Sequence, residues 1–227
     1  LDPQDPEPVF NLALVFEEAS ESEAALAAYE TLTSIAPEML EAWVNLGNLH
    51  HREKRFTAAA VAYQRVLDVN PEDASTWSRL GVIADAMGAR DEARAHYRMA
   101  LELDPECVEA HFNMGISLRE QGDLTGAIGS YRRALEVNPT HADVLFNLGR
   151  AQQADGDVAA AEVSYRASIS VDPNKVAAQN NLGTVLLDQG QLSDAVDVYR
   201  QAAGEDSAGS VHANSAWNLS LALLLSG

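Results

Sequence analysis

The chain has 227 residues, 47% of them hydrophobic, enough to bury a sizeable core and to exclude a disordered polypeptide. Its 34 Asp and Glu against 15 Lys and Arg give a formal charge of -19, which repels polyphosphate and excludes nucleic acid and an anionic membrane surface as expected partners. A neutral or basic partner fits this balance, although excess carboxylate also serves plain solubility.

In chain order, the opening LDPQDPEP has neither a positive nor an apolar region and does not read as a signal peptide. Apolar residues then recur at helical spacing, as in Trp43, Leu46, Gly47 and His50 and again in Ala59, Tyr63 and Val66. These predict two helices of about 13 residues, each roughly 20 Å long at 1.5 Å per residue. The pair then repeats. All six tyrosines (Tyr29, Tyr63, Tyr97, Tyr131, Tyr165 and Tyr199) follow one another at 34 residues, as do Pro3, Pro37, Pro71, Pro105, Pro139 and Pro173. Gly47, Gly81, Gly115, Gly149 and Gly183 keep the same step, and so does an alanine four residues before every tyrosine. A fixed period of this length predicts stacked helix pairs. Gly88, Gly122, Gly156 and Gly190 separate the two helices of a pair, and the proline closes the second.

With Leu40 as position 1, the small residues at positions 8 and 20 let the two helices cross closely, with the bulky side chains of positions 4, 7 and 24 around them. The expected organisation is a single array over 1–227, with repeats 6–39, 40–73, 74–107, 108–141, 142–175 and 176–209 and partial repeats 1–5 and 213–227. Leu1-Asp2-Pro3 reads like the end of an earlier repeat, and GEDSAGSVHA lengthens the last linker, with Ser207 where a proline is due. The chain therefore reads as a segment of a longer array, and its final helix, 213–226, is expected to seek a partner surface, by self-association among other routes.

The pattern resembles the tetratricopeptide repeat family, whose signature joins W-x2-L-G in the first helix to A-x3-F/Y in the second and a closing proline. Trp43-Leu46-Gly47 with Ala59-Tyr63-Pro71, and Trp77-Leu80-Gly81 with Ala93-Tyr97-Pro105, carry the likeness. Ala13 stands for glycine in the first repeat, and His111, Leu145 and Gln179 stand for tryptophan later. The resemblance implies an all-α fold, a right-handed superhelical solenoid of antiparallel helix pairs with the first helices lining the concave side. It also implies a non-catalytic scaffold for protein binding. The closing text HANSAWNLSLALLLSG is similar to the last repeat of bacterial proteins that run on into a glycosyltransferase-type domain, so a substrate-recognition arm of a larger enzyme is an alternative.

Position 6 is asparagine in every repeat but one: Asn11, Asn45, Asn113, Asn147 and Asn181, with Asn218 beyond and Arg79 interrupting the row. On a helical wheel it lies opposite the packed positions 4, 7, 8 and 11. A carboxamide offers both a donor and an acceptor to an extended peptide backbone. A similar asparagine ladder lies in the tetratricopeptide region of O-linked N-acetylglucosamine transferases, where it grips peptide main chains, and the resemblance implies that role for these asparagines. The competing reading is that they bond a neighbouring repeat. Position 5 adds Phe112 and Phe146 as candidate pocket residues, with adjacent repeats as their other expected packing partner. Acidic residues such as Glu17, Glu41, Asp85, Glu109 and Asp143 line the same face.

Family members that clamp acidic peptide tails use lysines where this chain has Val44, Ser75 and Glu109, although Asn48 and Asn113 fill allowed slots; Asn48 and Arg79 therefore join the candidate peptide contacts. His50 and His51 diverge on a helix and His96, His111, His141 and His212 share no repeat position, so no metal site is expected. No phosphate loop, dinucleotide fingerprint or nucleophile elbow occurs, and no cofactor is expected. The lone Cys107 allows no internal disulfide. No apolar run nears the roughly 20 residues of a membrane span, and cytoplasm is the default compartment.

Overall fold

The computed structural model describes residues 5–203 and 213–225. The readings placed on Pro3, on the lengthened linker with Ser207 and on His212 lie outside the described residues. Thirteen helices fill what is described: α1 Pro6–Glu18, α2 Ser22–Ile35, α3 Leu40–Arg52, α4 Phe56–Val69, α5 Ala74–Ala86, α6 Arg90–Leu103, α7 Val108–Glu120, α8 Leu124–Val137, α9 Ala142–Ala154, α10 Val158–Val171, α11 Val176–Asp188, α12 Leu192–Ala203 and α13 Ala213–Leu225. They gather into two compact units, Leu1–Asn113 and Met114–Gly227. Within each unit the helices pack chiefly against their neighbours in sequence, the all-α stack of helix pairs that the 34-residue step predicts.

Short side chains start and stop these helices. Asp5, Asp73, Asp123 and Asp157 accept a hydrogen bond from a backbone N–H of the first turn that follows them, satisfying a group the helix cannot. Between the helices of a pair, Gly88, Gly122, Gly156 and Gly190 have φ of 79°, 84°, 89° and 76°, where an L side chain would be strained. Ser20 and Lys54 fill that slot at φ 59° in the first two pairs.

Five of the six pairs close where a tyrosine ring lies against a glycine; in the first, Ala13 holds the glycine's place. All six tyrosines are essentially solvent-free. A Cβ on Gly47 would stand 2.5 Å from Tyr63 Cε1, and one on Gly149 would stand 2.7 Å from Tyr165 Cε1. Both separations lie far inside van der Waals contact. The small residue at position 8 is thus the seat of the aromatic ring at position 24. Ala59, Ala93, Ala127, Ala161 and Ala195, fully buried at position 20, let the helices approach near it.

Neighbouring repeats are joined by a polar tie. The Trp43 indole N–H donates to the carbonyl of Pro37 at 2.9 Å and Trp77 to Pro71 at 2.8 Å. His111 Nε2 meets the Pro105 carbonyl at 3.0 Å, and Gln179 Nε2 donates to Pro173 at 2.9 Å. The replacements of tryptophan that look like drift in the sequence therefore preserve an N–H donor aimed at the proline carbonyl. Leu145, like Val9 in the first repeat, has no such donor.

Replacing Gly149 by valine should lower the unfolding free energy by about 1–3 kcal/mol through overpacking against Tyr165. Urea denaturation followed by circular dichroism measures it; an unchanged midpoint would mean that the ring does not depend on that seat.

Candidate functional site

The tyrosine that seats on glycine also passes its hydroxyl through to the outer side of the first helix. There it meets a polar side chain 12 or 15 residues earlier. Tyr29 donates to Glu17 at 2.6 Å, Tyr97 to Asp85 at 3.0 Å and Tyr165 to Gln153 at 2.9 Å. Tyr63 donates to Asn48 at 2.8 Å, and Tyr199 lies 3.1 Å from the Thr184 hydroxyl. The polar face of the first-helix layer is anchored through the core by phenol groups.

The position-6 residues meet this system from the next repeat. Asn181 Nδ2 donates to the Tyr165 hydroxyl at 3.3 Å, Asn45 stands beside the Tyr29 hydroxyl and favours its ionised form, and the Arg79 charge acts likewise on Tyr63. Arg79 also donates to Ser75 Oγ at 2.8 Å. Asn113 Nδ2 donates to Ser78 Oγ at 3.3 Å, from α7 to α5, and Asn147 Nδ2 turns back to the carbonyl of Asp143 at 2.9 Å. Asn11 is exposed on α1, while Asn45, Asn113, Asn147 and Asn181 are half-buried. In the first unit Asn11, Asn45, Arg79 and Asn113 thus occupy equivalent places on α1, α3, α5 and α7. In the second unit Asn147 and Asn181 do so on α9 and α11, with half-buried Asn218 on α13.

Phe112 and Phe146 are half-buried. The Phe146 ring lies 6.0 Å from that of Tyr165, with Arg150 Cζ and Lys175 Nζ each 5.7 Å from its centroid. Lys175 is paired with Asp143 at 2.6 Å and Arg52 with Glu17 at 2.9 Å, so part of the acid on these faces is neutralised. The hollows of the first unit open elsewhere: one of about 420 Å³, between α2, α3 and α4, is lined by Trp43, His50 and Val61.

The tyrosine partners were not singled out from sequence. The usable signal was the recurrence of a polar residue 12 positions before the tyrosine: Glu17, Asp85, Arg119 and Gln153. Among the described residues no group of three or more His, Cys, Asp or Glu side chains is placed to hold a metal ion. No helix among them is long and apolar enough to cross a membrane. Cys107 is buried and its thiol is pushed up in pKa by that burial, which leaves it little thiolate to react.

A two-layer stack of helix pairs, keyed by tyrosine on glycine and tied by an indole to a proline carbonyl, defines a repeat protein of the helix-turn-helix solenoid class. The sequence profile described as Tetratricopeptide repeat matches residues 10–74, 55–106, 78–142, 112–165, 146–211 and 180–227, and the chain belongs to that family. No functionally curated protein matches it. Among solved structures it is similar to MamA, at 25% identity and TM-score 0.62, over 69% of this chain and 92% of that one. YrrB, described as a TPR protein with an unusual peptide-binding site, shares the fold at 23% identity and TM-score 0.55, over 78% of this chain and 91% of that one. The APC/C hetero-tetramer Cut9-Hcn1 shares it at 15% identity and TM-score 0.78, over 98% of this chain and 44% of that one.

Burial raises the pKa of Tyr29, Tyr63, Tyr131, Tyr165 and Tyr199 above the ordinary 10.0, Tyr63 to about 12. In Tyr29 the Glu17 carboxylate adds to the burial effect. Between the unfolded and folded values the unfolded chain holds fewer protons, so stability is full below pH 10 and falls as pH rises from there through about 12. Tyrosinate absorbance in an alkaline titration should therefore appear together with loss of helical circular dichroism. Ionisation centred at pH 10 with the helices intact would contradict the burial of these hydroxyls.

Proposed function

We propose that this chain is a non-catalytic protein-interaction scaffold that holds an extended, neutral-to-basic peptide segment against its first-helix faces. The repeats 6–39, 40–73, 74–107, 108–141, 142–175 and 176–209 are its units of recognition. The amides of Asn11, Asn45, Asn113, Asn147 and Asn181 contact the peptide main chain, Arg79 and Asn48 contribute beside them, and Phe112 and Phe146 supply apolar edges.

The observation that carries this reading is the way the amides are tethered. Asn181 spends one N–H on the Tyr165 hydroxyl and Asn147 one on its own helix. A carboxamide has two N–H donors and an oxygen with two lone pairs. A donor and an acceptor therefore remain at a side chain whose orientation is already fixed, so little conformational entropy is lost when a peptide binds. Membership of a family of interaction repeats supports the same reading, as does the peptide-binding site named for a protein of like fold. At about 1 kcal/mol net per hydrogen bond the amides alone give weak binding, so the apolar edges and the peptide's charge must contribute.

Capture of neutral-to-basic peptides on an array should fall by up to about a hundredfold in a folded variant bearing Asn113→Ala, Asn147→Ala and Asn181→Ala. Undiminished capture would sink the amide reading.

A second reading, self-association through α13, is favoured by the exposure of Trp217 at 67% and Leu224 at 81%. It predicts a concentration-dependent mass in sedimentation equilibrium that Trp217→Ser with Leu224→Ser abolishes; a monomeric parent chain would exclude it.

A further inference from the structure

The joint between the first two repeats is left unfilled. At position 28 the next four repeats carry Leu67, Leu101, Leu135 and Ile169, and Leu67 packs in one buried cluster with Leu80 and Ile83 of the helix that follows it. The first repeat has Thr33 there, its hydroxyl turned back to the carbonyl of Glu30 at 3.1 Å. The hollow of about 420 Å³ lies at this point, floored by Trp43, Leu46 and His50 and lipped by Val61, which is 56% exposed. Its floor is made by positions 4, 7 and 11 of α3, so it opens on the second-helix side, away from the position-6 face. His50 is 8% exposed and makes no side-chain hydrogen bond among the described residues; of its two ring nitrogens only Nδ1 is both enclosed and unpartnered. Nε2 is the one left to the hollow. A buried N–H without an acceptor is rarer than an unmet lone pair, so the neutral ring places its proton on Nε2 and offers a donor there. Burial, followed by the charge of Arg55, lowers the His50 pKa and keeps the ring neutral. Arg55 is itself paired with Glu23, whereas Glu30 at the rim is exposed and makes no ion pair among the described residues.

We propose that this hollow is a second docking site, which takes the apolar side chain of a partner polypeptide at a point where a basic residue follows it. The apolar group fills the space that Thr33 leaves open, the segment's carbonyl accepts from His50 Nε2–H, and the adjoining cation stands over the unpaired Glu30. The volume is within the roughly 300–1,000 Å³ of sites that enclose such groups. A carboxylate would meet the like charge of Glu30, and a wholly polar segment would forfeit the apolar walls. Polypeptide supplies an apolar side chain, a neutral carbonyl and a cation within two residues, and the net charge of -19 favours that sign of partner. The site belongs to the first unit and to another face than the asparagines, so it stands or falls apart from the amide reading.

Three acetylated and amidated hexapeptides test it: Gly-Ser-Phe-Lys-Ser-Gly, a form with Ala in place of Phe, and a form with Glu in place of Lys. Titrated into the whole chain, with the Trp43 indole N–H NMR signal as the local readout, the Phe-Lys peptide should bind about tenfold tighter than the Ala form. It should also bind several-fold tighter than the Glu form, a gap that 0.5 M salt narrows. Thr33→Leu, which restores the aliphatic residue of the next four repeats, should keep the helical circular dichroism and abolish the Phe advantage. Val61→Lys, at the exposed lip, should abolish it too and keeps the test open if the first variant folds poorly. Equal affinity for the Phe and Ala peptides, an advantage that survives either substitution in a folded chain, or a Trp43 signal unmoved at millimolar peptide would overturn the proposal. The variant bearing Asn113→Ala, Asn147→Ala and Asn181→Ala separates the two readings: it should bind the Phe-Lys peptide as the parent does, and loss of binding there would place the peptide on the position-6 face instead and overturn the second site.

Discussion

The contact on which this structure depends is the face of a tyrosine ring against the bare backbone of a glycine. A single extra carbon on Gly47 or Gly149 would enter the ring, so in these pairs glycine at position 8 is a requirement of shape, with the alanine at position 20 its companion; only the first pair, with Ala13, accommodates the extra carbon. The ring then lies deep between two helices with its hydroxyl too far in to be solvated. An unmet hydroxyl there would cost about 1–3 kcal/mol, and for Tyr29, Tyr63, Tyr97, Tyr165 and Tyr199 the fold avoids this by giving the oxygen a partner on the far side of the first helix. Packing therefore dictates where polar groups emerge. The first-helix face is not a surface decorated at will: its polar residues stand where the buried phenols need them.

This coupling resolves why an indifferent helix former recurs at position 6. The asparagine belongs to two systems at once, since its place on the helix points it away from its own pair while its amide reaches the phenol or hydroxyl of the preceding repeat, as Asn181 reaches Tyr165 and Asn113 reaches Ser78. Structural engagement and ligand contact are usually posed as rivals. A carboxamide has enough donors and acceptors to do both, and an amide held by one bond is a better presented ligand for the next.

The fold was legible in the sequence because its constraint is steric and periodic: tyrosine, glycine, alanine and proline at one step admit little besides a stack of helix pairs. The polar half was less legible. His111 and Gln179 read as lapses from tryptophan because hydrophobic bulk is the visible property at position 4, whereas the property retained is an N–H aimed at a proline carbonyl. The phenol partners were hidden for a related reason. Position 12 holds Glu17, Asp85 and Gln153, which differ in charge and share only the ability to accept from a hydroxyl. Hydrogen-bond capacity does not show in a pattern read by hydrophobicity or charge.

A repeat that meets its packing requirement identically each time has no means of distinguishing one stretch of peptide from the next; recognition must come from positions where the requirement admits more than one answer. Position 12 is such a place, because acids, an amide and an arginine all stand there beside buried phenols. Arg119 beside Tyr131 changes the sign of charge there. Position 6 behaves in the same way at Arg79, where an arginine bonds Ser75 and faces Tyr63 without disturbing the stack. The departures from the repeat consensus that are tolerated by the core are thus the ones that alter the electrostatics of the first-helix face, and in a chain with net charge -19 a cation placed there changes the local field most. Selection acting on such exceptions can tune what is bound while the glycine-seated tyrosines hold the fold unchanged.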